Sequence, residues 1–251
     1  MFRKLFFLTS IFVLVICSLA IAQETVDDII KKNIEARGGY ENLKAVKTMK
    51  VTGKQMMQGI EVPFTIFQKR PKLIRLEATV QGQTMVQAYD GENPWWINPF
   101  MGSTDPQKMP EDQAKSIQEQ SDMDGHLVDY KDKGHTVELI GKEDMEGTEV
   151  YKIKVELKNG DIRYDLLDTE YFLELKTIAK IKRQGTEIEA ETSVSDYKEV
   201  NGLMIAHSIE TKVGGNVVSQ IIIDTIEMDV DVDDSIFTMP AKKEEAPTPK
   251  Q

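Results

Sequence analysis

The sequence predicts a mainly β domain of the α+β class, in which about ten or eleven antiparallel strands form one sheet. From Val46 onward, apolar and polar residues alternate with a period of two, as in half-buried strands. Turn dipeptides, such as Asn159-Gly160 and Asn201-Gly202, separate the alternating stretches. One amphipathic helix precedes them. Because a meander of this width cannot stay flat, we expect the sheet to curl.

The first residues have the features of an export signal. Arg3 and Lys4 precede a long apolar run, which ends in the small-x-small sequence Ala20-Ile21-Ala22. Residues 1–22 are therefore predicted to be a cleaved secretory signal peptide, and the mature chain is expected in the periplasm.

Cysteine usage and charge exclude several classes of site. The single cysteine, Cys17, lies in the signal, so the mature chain is expected to have no disulfide and no Cys metal site. Lipid attachment at Cys17 is the alternative, disfavoured by the large Val15 and Ile16 beside it. Loss of Arg3 and Lys4 would move the net charge from −11 to −13. Such a surface repels phosphate backbones, so no nucleic-acid partner is expected.

Three segments are predicted to be helical or helix-like. Thr25–Arg37 has acidic residues in its first turn and ends at Gly38-Gly39, and a shorter turn covers Tyr40–Ala45. The apolar face of the first helix, Thr25–Arg37, consists of Val26, Ile29, Ile30 and Ile34. The segment Pro110–Met123 is rich in Glu, Gln and Asp and begins with Pro110, as helices often do. It is either a lid over one face of the sheet or a solvated loop.

The predicted strands fill most of the remaining sequence. They lie at Thr48–Met57, around Val62–Phe67, and at Lys72–Val80, Met85–Tyr89, Tyr151–Leu157, Ile162–Leu166, Phe172–Arg183, Glu187–Val200, Leu203–Val213 and Val217–Met228. No Pro- or Gly-rich linker divides them, so residues 23–240 are predicted to form one domain. Residues 241–251 are rich in Lys, Glu and Pro and are predicted to be a disordered tail.

The sequence contains no recognisable catalytic machinery. His126, His135 and His207 lack metal-site spacing, and no P-loop, dinucleotide fingerprint or G-x-S-x-G elbow is present. The acidic run Asp229–Asp234 lacks the glycine and distal Glu of an EF-hand. We therefore expect a protein that is not an enzyme and that needs neither a metal nor another cofactor.

Methionine is unusually frequent, with 12 residues in the chain. Its flexible side chain fills irregular spaces and adapts to varied guests. The pattern fits a Met-rich core and a ligand pocket equally well.

Three motifs resemble those of the periplasmic outer-membrane lipoprotein carriers, the LolA-like family. Lys69-Arg70-Pro71-Lys72-Leu73 is similar to that family's K-R-P-N-L strand start. The segment from Asp90-Gly91 through Trp95 to Asn98-Pro99-Phe100 is similar to its D-G-x-x-x-W-x-x-N-P-F hairpin. Phe237-Thr238-Met239-Pro240 looks like its terminal F-x-x-P turn.

The resemblance implies a specific architecture and function. The family fold is an incomplete antiparallel barrel of about eleven strands with helices covering its concave apolar face. The arginine that matches Arg70 bonds the helices of the lid there, and a guanidinium has five donors suited to helix-end carbonyls. The ligand-binding residues implied here are Phe64, Arg70, Met85, Tyr89, Trp95, Trp96 and Phe100.

The functional hypotheses follow from this resemblance. The first is a monomeric carrier of lipoprotein acyl chains or another lipid, loaded by an inner-membrane complex and unloaded at an outer-membrane acceptor. The second is a lipid- or lipoprotein-binding sensor or interaction domain of the same fold. A hydrolase ranks last, because no catalytic constellation can be assembled. The chain's polar lid segment and acidic charge depart from the carriers and leave the cargo open.

Overall fold

The computed structural model describes residues 24–57, 59–102, 104–183 and 186–241. The predicted signal peptide and, apart from Ala241, the predicted tail lie outside these residues. The described chain contains one antiparallel sheet with strand order β6-β5-β4-β3-β2-β1-β13-β12-β11-β10-β9-β8-β7. The strands are β1 Thr48–Met57, β2 Ile60–Lys69, β3 Leu73–Val80, β4 Gln83–Tyr89, β5 Pro94–Ile97, β6 Gln107–Lys108, β7 Thr136–Met145, β8 Thr148–Glu156, β9 Ile162–Asp168, β10 Glu174–Arg183, β11 Thr186–Val200, β12 Leu203–Val213 and β13 Asn216–Met228.

The sheet is a curved, open half-barrel, as predicted. Strand β1 pairs with β2 on one side and with β13 on the other, so the chain runs outward along one arm and returns along the second. The sheet has 13 strands where about eleven were expected. Three strands are missing from the predicted list, the short β5 and β6 and the ten-residue β7, and β7 alternates exposed and half-buried residues along its whole length. Asn201 and Gly202 have the positive φ values of 50° and 80° that a tight hairpin requires.

Helix α1 (Val26–Ala36) covers the β7–β9 end of the concave face. The Thr25 hydroxyl accepts from the Asp28 backbone N–H while the Asp28 carboxylate accepts from the Thr25 N–H, which forms a capping box. The buried Ile29 and Ile30 pack against a row of strand residues. That row consists of Tyr151, Ile153, Val155, Leu157 and Leu167.

Two shorter helices pack on other parts of the concave face. In α2 (Tyr40–Ala45), Leu43 packs with Val46, Val128 and Leu203. In α3 (Glu111–Gln120), Ile117 is 1% exposed and packs over Ile74, Trp96 and Met109. The polar segment that was predicted as either a lid or a loop is therefore a helix packed on the sheet, shorter by a few residues than predicted. Two 3-10 helices complete the structure, at Pro99–Met101 and Asp234–Ile236.

The register gives the sheet an apolar concave face and a charged convex face. Met49 pairs with Met228 and Gln68, and both methionines pack against the α2 cluster, which identifies the concave face. On the other face of the same strands, Lys50 pairs with Glu227 at 2.8 Å. Gly53 lies on the concave face, where a Cβ atom would be 2.7 Å from the Phe64 ring. Glycine at this position lets the Phe64 ring lie close against the sheet.

The C-terminal segment crosses the convex face and corrects one predicted site residue. Phe237 is fully buried, and its carbonyl accepts a 2.6 Å hydrogen bond from the Trp95 indole N–H. Arg75 donates to the Ile236 carbonyl at 2.8 Å. Trp95 was expected to line the ligand pocket, but its side chain points to the convex side because adjacent strand residues alternate, and it packs with Val86 and Ala88.

Helix α1 ends where the backbone must pass close to the β11–β12 turn, and this predicts a large effect of one methyl group. A Cβ atom on Gly38 (φ +113°) would be 2.2 Å from the Gly202 carbonyl oxygen, whereas nothing lies within 4 Å of one on Gly39 (φ +91°). Gly39→Ala should cost roughly 1–3 kcal/mol of unfolding free energy through backbone strain alone. Gly38→Ala should cost clearly more, as measured by urea unfolding. Equal losses for the two variants would contradict the close contact.

Candidate functional site

A cavity of about 330 Å³ lies between the concave face, helices α1 and α2, and the segment that follows α3. This volume is at the lower end of the range for small-molecule sites. Its apolar lining consists of Leu43, Val46, Met49, Met123, Leu127, Val194, Leu203, Met204, Ile205 and Ala206. Three of the methionines therefore line a cavity, while Met109 packs under α3.

Beyond the helices, a strip of the concave face stays only partly covered. Its residues come from the central strands and are half-buried, in contrast to the fully buried residues under α1. They are Phe64, Ile66, Leu76, Ile209, Ile221 and Ile223. This strip, called the hollow below, continues the apolar lining of the cavity along the sheet. The concave face is thus not filled completely by the protein's own side chains.

Arg70 joins the end of α2 to the segment after α3. Its Nε donates to the Val46 carbonyl and its Nη2 to the Leu43 carbonyl, each at 2.7 Å. These carbonyls lie at a helix C-terminus, where the last carbonyls lack partners within the helix. The same guanidinium forms a two-pronged ion pair with Asp124 at 3.0 and 2.6 Å. The contact between Arg70 and helix-end carbonyls that the resemblance implied is present.

Asp124 is the common anion of this network. Its side chain is 5% exposed and also binds Lys44, whose Nζ lies 2.6 Å from both Asp124 and Asp129. Burial raises the pKa of Asp124, but hydrogen bonds from Arg70 and Lys44 outweigh it and lower the pKa from 3.8 to about 2. The carboxylate therefore stays charged and holds two cations from different elements.

A second polar cluster forms the wall of the cavity under α1. His126 Nε2 lies 2.6 Å from Oδ2 of the fully buried Asp165, and Thr177 donates to the other Asp165 oxygen at 3.1 Å. Thr177 Oγ1 is also 2.7 Å from a Glu174 oxygen. Tyr197 donates to the Glu174 carbonyl at 2.7 Å.

The electrostatics of this cluster shift both His126 and Glu174 toward their protonated forms. Burial lowers the pKa of His126, but the charge and hydrogen bond of Asp165 raise it overall. Burial and the nearby Asp165 charge both raise the pKa of Glu174. Sequence reasoning missed Asp165 and Glu174, because each occupies an ordinary strand position and only the folded chain brings His126, 39 residues before Asp165, to them.

The other residues implied by the resemblance lie in several places. Phe64 is in the hollow, and Met85 and Tyr89 lie on the concave face of β4. Trp96 is buried beneath α3, and Phe100 is 50% exposed in the first 3-10 helix. Arg70 is the one member of this set that lines the cavity in the described chain.

Neither a metal site nor a membrane-spanning helix is found in the described residues. No three of their His, Cys, Asp or Glu side chains come together in a way that would hold a metal ion. None of the helices formed by these residues has the length and apolar composition needed to span a membrane.

Solved structures with the same fold share little sequence with this chain. A LolA superfamily protein from Nitrosomonas europaea superposes with a TM-score of 0.61 at 13% identity, covering 86% of this chain and 98% of the other. A DUF1329 family protein from Desulfovibrio piger gives 0.60 at 12% identity, with the same coverage. A domain assigned to an outer membrane lipoprotein-sorting protein from Vibrio parahaemolyticus gives 0.56 at 10%, covering 84% and 94%. The chain therefore has a LolA-like fold.

Comparisons at the level of sequence give no further relatives. No protein-family model matches the chain, and no curated protein matches it.

The low pKa of Asp124 predicts an acid-sensitive contribution to stability. Because the pKa is about 2 in the folded chain and 3.8 ordinarily, the stabilisation is fully present above pH 3.8 and is lost as the pH falls through 2. It amounts to about 2 kcal/mol. The difference in unfolding free energy between wild type and Asp124→Asn should therefore shrink by this amount between pH 6 and pH 2.

The control is Glu227→Gln, which removes an exposed ion pair with Lys50. Exposed pairs contribute little, so its difference from wild type should change by less than about 0.5 kcal/mol over the same pH range. Parallel pH profiles for the two variants would contradict a special role for Asp124.

Proposed function

We propose that this chain is a periplasmic carrier that binds the acyl chains of lipoproteins, or another lipid-like ligand, and delivers them toward the outer membrane. The observation that carries the proposal is the apolar cavity and its continuation, the hollow, inside a LolA-like half-barrel. The assignment of one structural neighbour to lipoprotein sorting supports the same function. An inner-membrane loading complex and an outer-membrane acceptor would be its partners.

The energetics of such a ligand are adequate for capture from water. Each buried methylene contributes about 0.8 kcal/mol, so about a dozen contribute roughly 10 kcal/mol before ordering costs. A bilayer offers the same chain a similarly apolar environment. Net transfer therefore depends on a protein conformation whose affinity changes between loading and release. The Arg70–Asp124 network fits that role, because it joins helix α2 and the segment after α3 to the sheet. These two elements are called the cover of the cavity below.

The arrangement of polar groups supports binding without catalysis. The buried His126–Asp165 pair is the nearest approach to a catalytic dyad. The Thr177 hydroxyl hydrogen-bonds to carboxylates and not to the His126 imidazole, so it is not set up as an activated nucleophile.

The direct test is the identity of lipids that copurify with the mature protein from its own host's periplasm. Native mass spectrometry and analysis of lipid extracts should find acylated species at a ratio near one per chain. A ligand-free protein with hydrolytic activity would overturn the proposal. Stable binding of lipoprotein without any transfer to acceptor membranes would instead favour the sensor or interaction domain.

A bulky side chain in the hollow should weaken ligand binding, whereas the same side chain on the convex face should not. Ile223 pairs with Gly53 on the concave face, whereas its neighbour Ile222 pairs with Lys54 and points to the convex side, where it is 48% exposed. Ile223→Trp should weaken binding of a fluorescent fatty-acyl probe at least about tenfold, because the indole occupies ligand space. The matched control Ile222→Trp should change affinity less than twofold. Equal effects of the two substitutions would remove the hollow from the binding site.

Loss of the Arg70 hydrogen bonds should make local opening of the cover of the cavity more frequent. Arg70→Leu removes the hydrogen bonds to Leu43, Val46 and Asp124, so amide exchange in α2 and residues 121–130 should accelerate at least about tenfold. The rate of acyl-chain transfer to acceptor vesicles should change with it. The control Lys72→Leu alters an exposed cation nearby and should leave both rates unchanged. Faster exchange with unaltered transfer would mean that the network stabilises the fold without governing release.

A further inference from the structure

The polar part of the cavity wall is cationic, although the chain as a whole is acidic. The chain has 42 Asp and Glu residues against 31 Lys and Arg. The cavity lining nevertheless includes Arg37, Arg70 and His126, with Glu174 as its one carboxyl group. Arg70 and His126 are paired with Asp124 and Asp165, so Arg37 is the lining cation left to meet an anion.

Arg37 is the lining cation whose guanidinium is bonded to a carbonyl and not to a carboxylate. Its guanidinium Nη1 donates to the Asp124 backbone carbonyl at 3.1 Å, while the Asp124 carboxylate is engaged by Arg70 and Lys44. No carboxylate in the described part of the chain forms an ion pair with Arg37. A guanidinium has five N–H donors, so several remain for a ligand.

The backbone holds Arg37 firmly at this position. The residue caps the C-terminus of α1, where its N–H donates to Asn33 and its carbonyl accepts from Met204 in β12. A cation is favoured at a helix C-terminus, but that effect is modest and uses none of the guanidinium donors. The side chain is therefore anchored at its base, and at its tip Nη1 is bonded to the Asp124 carbonyl.

Glu174 is shifted toward its uncharged form although Arg37 lies near it. Burial and the neighbouring Asp165 raise its pKa by more than His126 and Arg37 lower it, which favours the uncharged carboxyl group. An uncharged carboxyl group can donate a hydrogen bond to an oxyanion. Burial lowers the pKa of the neighbouring His126, but the charge and hydrogen bond of Asp165 raise it overall, which favours the positive imidazolium.

We propose that the Arg37 end of the cavity binds the oxyanion head group of a single-chain amphiphile, a carboxylate or a phosphate, while its tail lies along the hollow. This inference rests on the proposed lipid-binding function and narrows its ligand class. A planar guanidinium forms paired hydrogen bonds to either oxyanion. Repulsion by the acidic surface is screened beyond about 8 Å at physiological salt, so the local charges at Arg37 dominate inside the cavity.

The test compares three probes with similar tails below their micelle concentrations: palmitate, lysophosphatidic acid and the neutral monopalmitin. Affinities come from displacement of a fluorescent acyl probe from the mature chain. Arg37→Gln should weaken binding of palmitate, lysophosphatidic acid or both at least tenfold, and binding of monopalmitin less than twofold. Arg37→Lys, which keeps the charge, should restore part of the loss. The anionic probe whose affinity falls in the Arg37→Gln variant shows whether the site prefers a carboxylate or a phosphate.

Controls separate this inference from the proposed function. Lys31→Gln, a substitution of an exposed cation on the same helix, should leave all three affinities unchanged. If all probes bind equally and Arg37→Gln alters none, the head-group inference is wrong while lipid binding stands. If no amphiphile binds wild type, the proposed function fails as well. Displacement of the acyl probe by inorganic phosphate alone, with no dependence on a tail, would also overturn the inference.

Discussion

The structure depends most on one guanidinium group that replaces the missing hydrogen bonds of a helix end. Arg70 supplies donors to the Leu43 and Val46 carbonyls and uses the remaining ones on Asp124. Strand β2, helix α2 and the segment after α3 are thereby joined at a single point. A lysine at this position has one compact ammonium group and cannot reach both carbonyls and the carboxylate in the same fixed geometry. The cover of the cavity, formed by α2 and the segment after α3, is thus held by directional bonds at one point as well as by the apolar packing of Leu43 and Val128.

The curvature of the sheet then decides which residues meet a ligand. A half-barrel brings side chains from β9, β10 and β11 to one wall, so that Asp165, Thr177 and Tyr197 surround the same short stretch of space. On the opposite arm, the absence of a side chain at Gly53 lets the Phe64 ring lie low against the backbone. Part of the apolar concave face, the hollow, is therefore not covered by the protein's own core.

Features formed by residues close together in the sequence were predictable, whereas contacts between residues far apart in the sequence were not. The approximate ends of α1, the alternation of β8 and the hairpin at Asn201-Gly202 are local, and the sequence predicted all three. The bond from Arg70 to helix-end carbonyls was anticipated through a motif. Its partner Asp124 was not, because 54 residues separate the two in the chain. Trp95 was assigned to the wrong face of the sheet. The motif shows that a tryptophan is present, but it does not show which face of the strand the side chain occupies, and here it points toward Phe237.

Under the proposed carrier function, the two polar networks would serve binding and release separately. Apolar contact alone cannot drive transfer between membranes, because bilayer and cavity offer an acyl chain nearly the same environment. Selectivity must then come from the few polar atoms at the cavity wall, and release from a closure that opens without breaking the core. Arg37 and Glu174 are positioned for the first task, and Arg70 with Asp124 for the second. Arg37 also donates to the Asp124 carbonyl, so an anion that draws this guanidinium into the cavity would act directly on the residue that holds the closure.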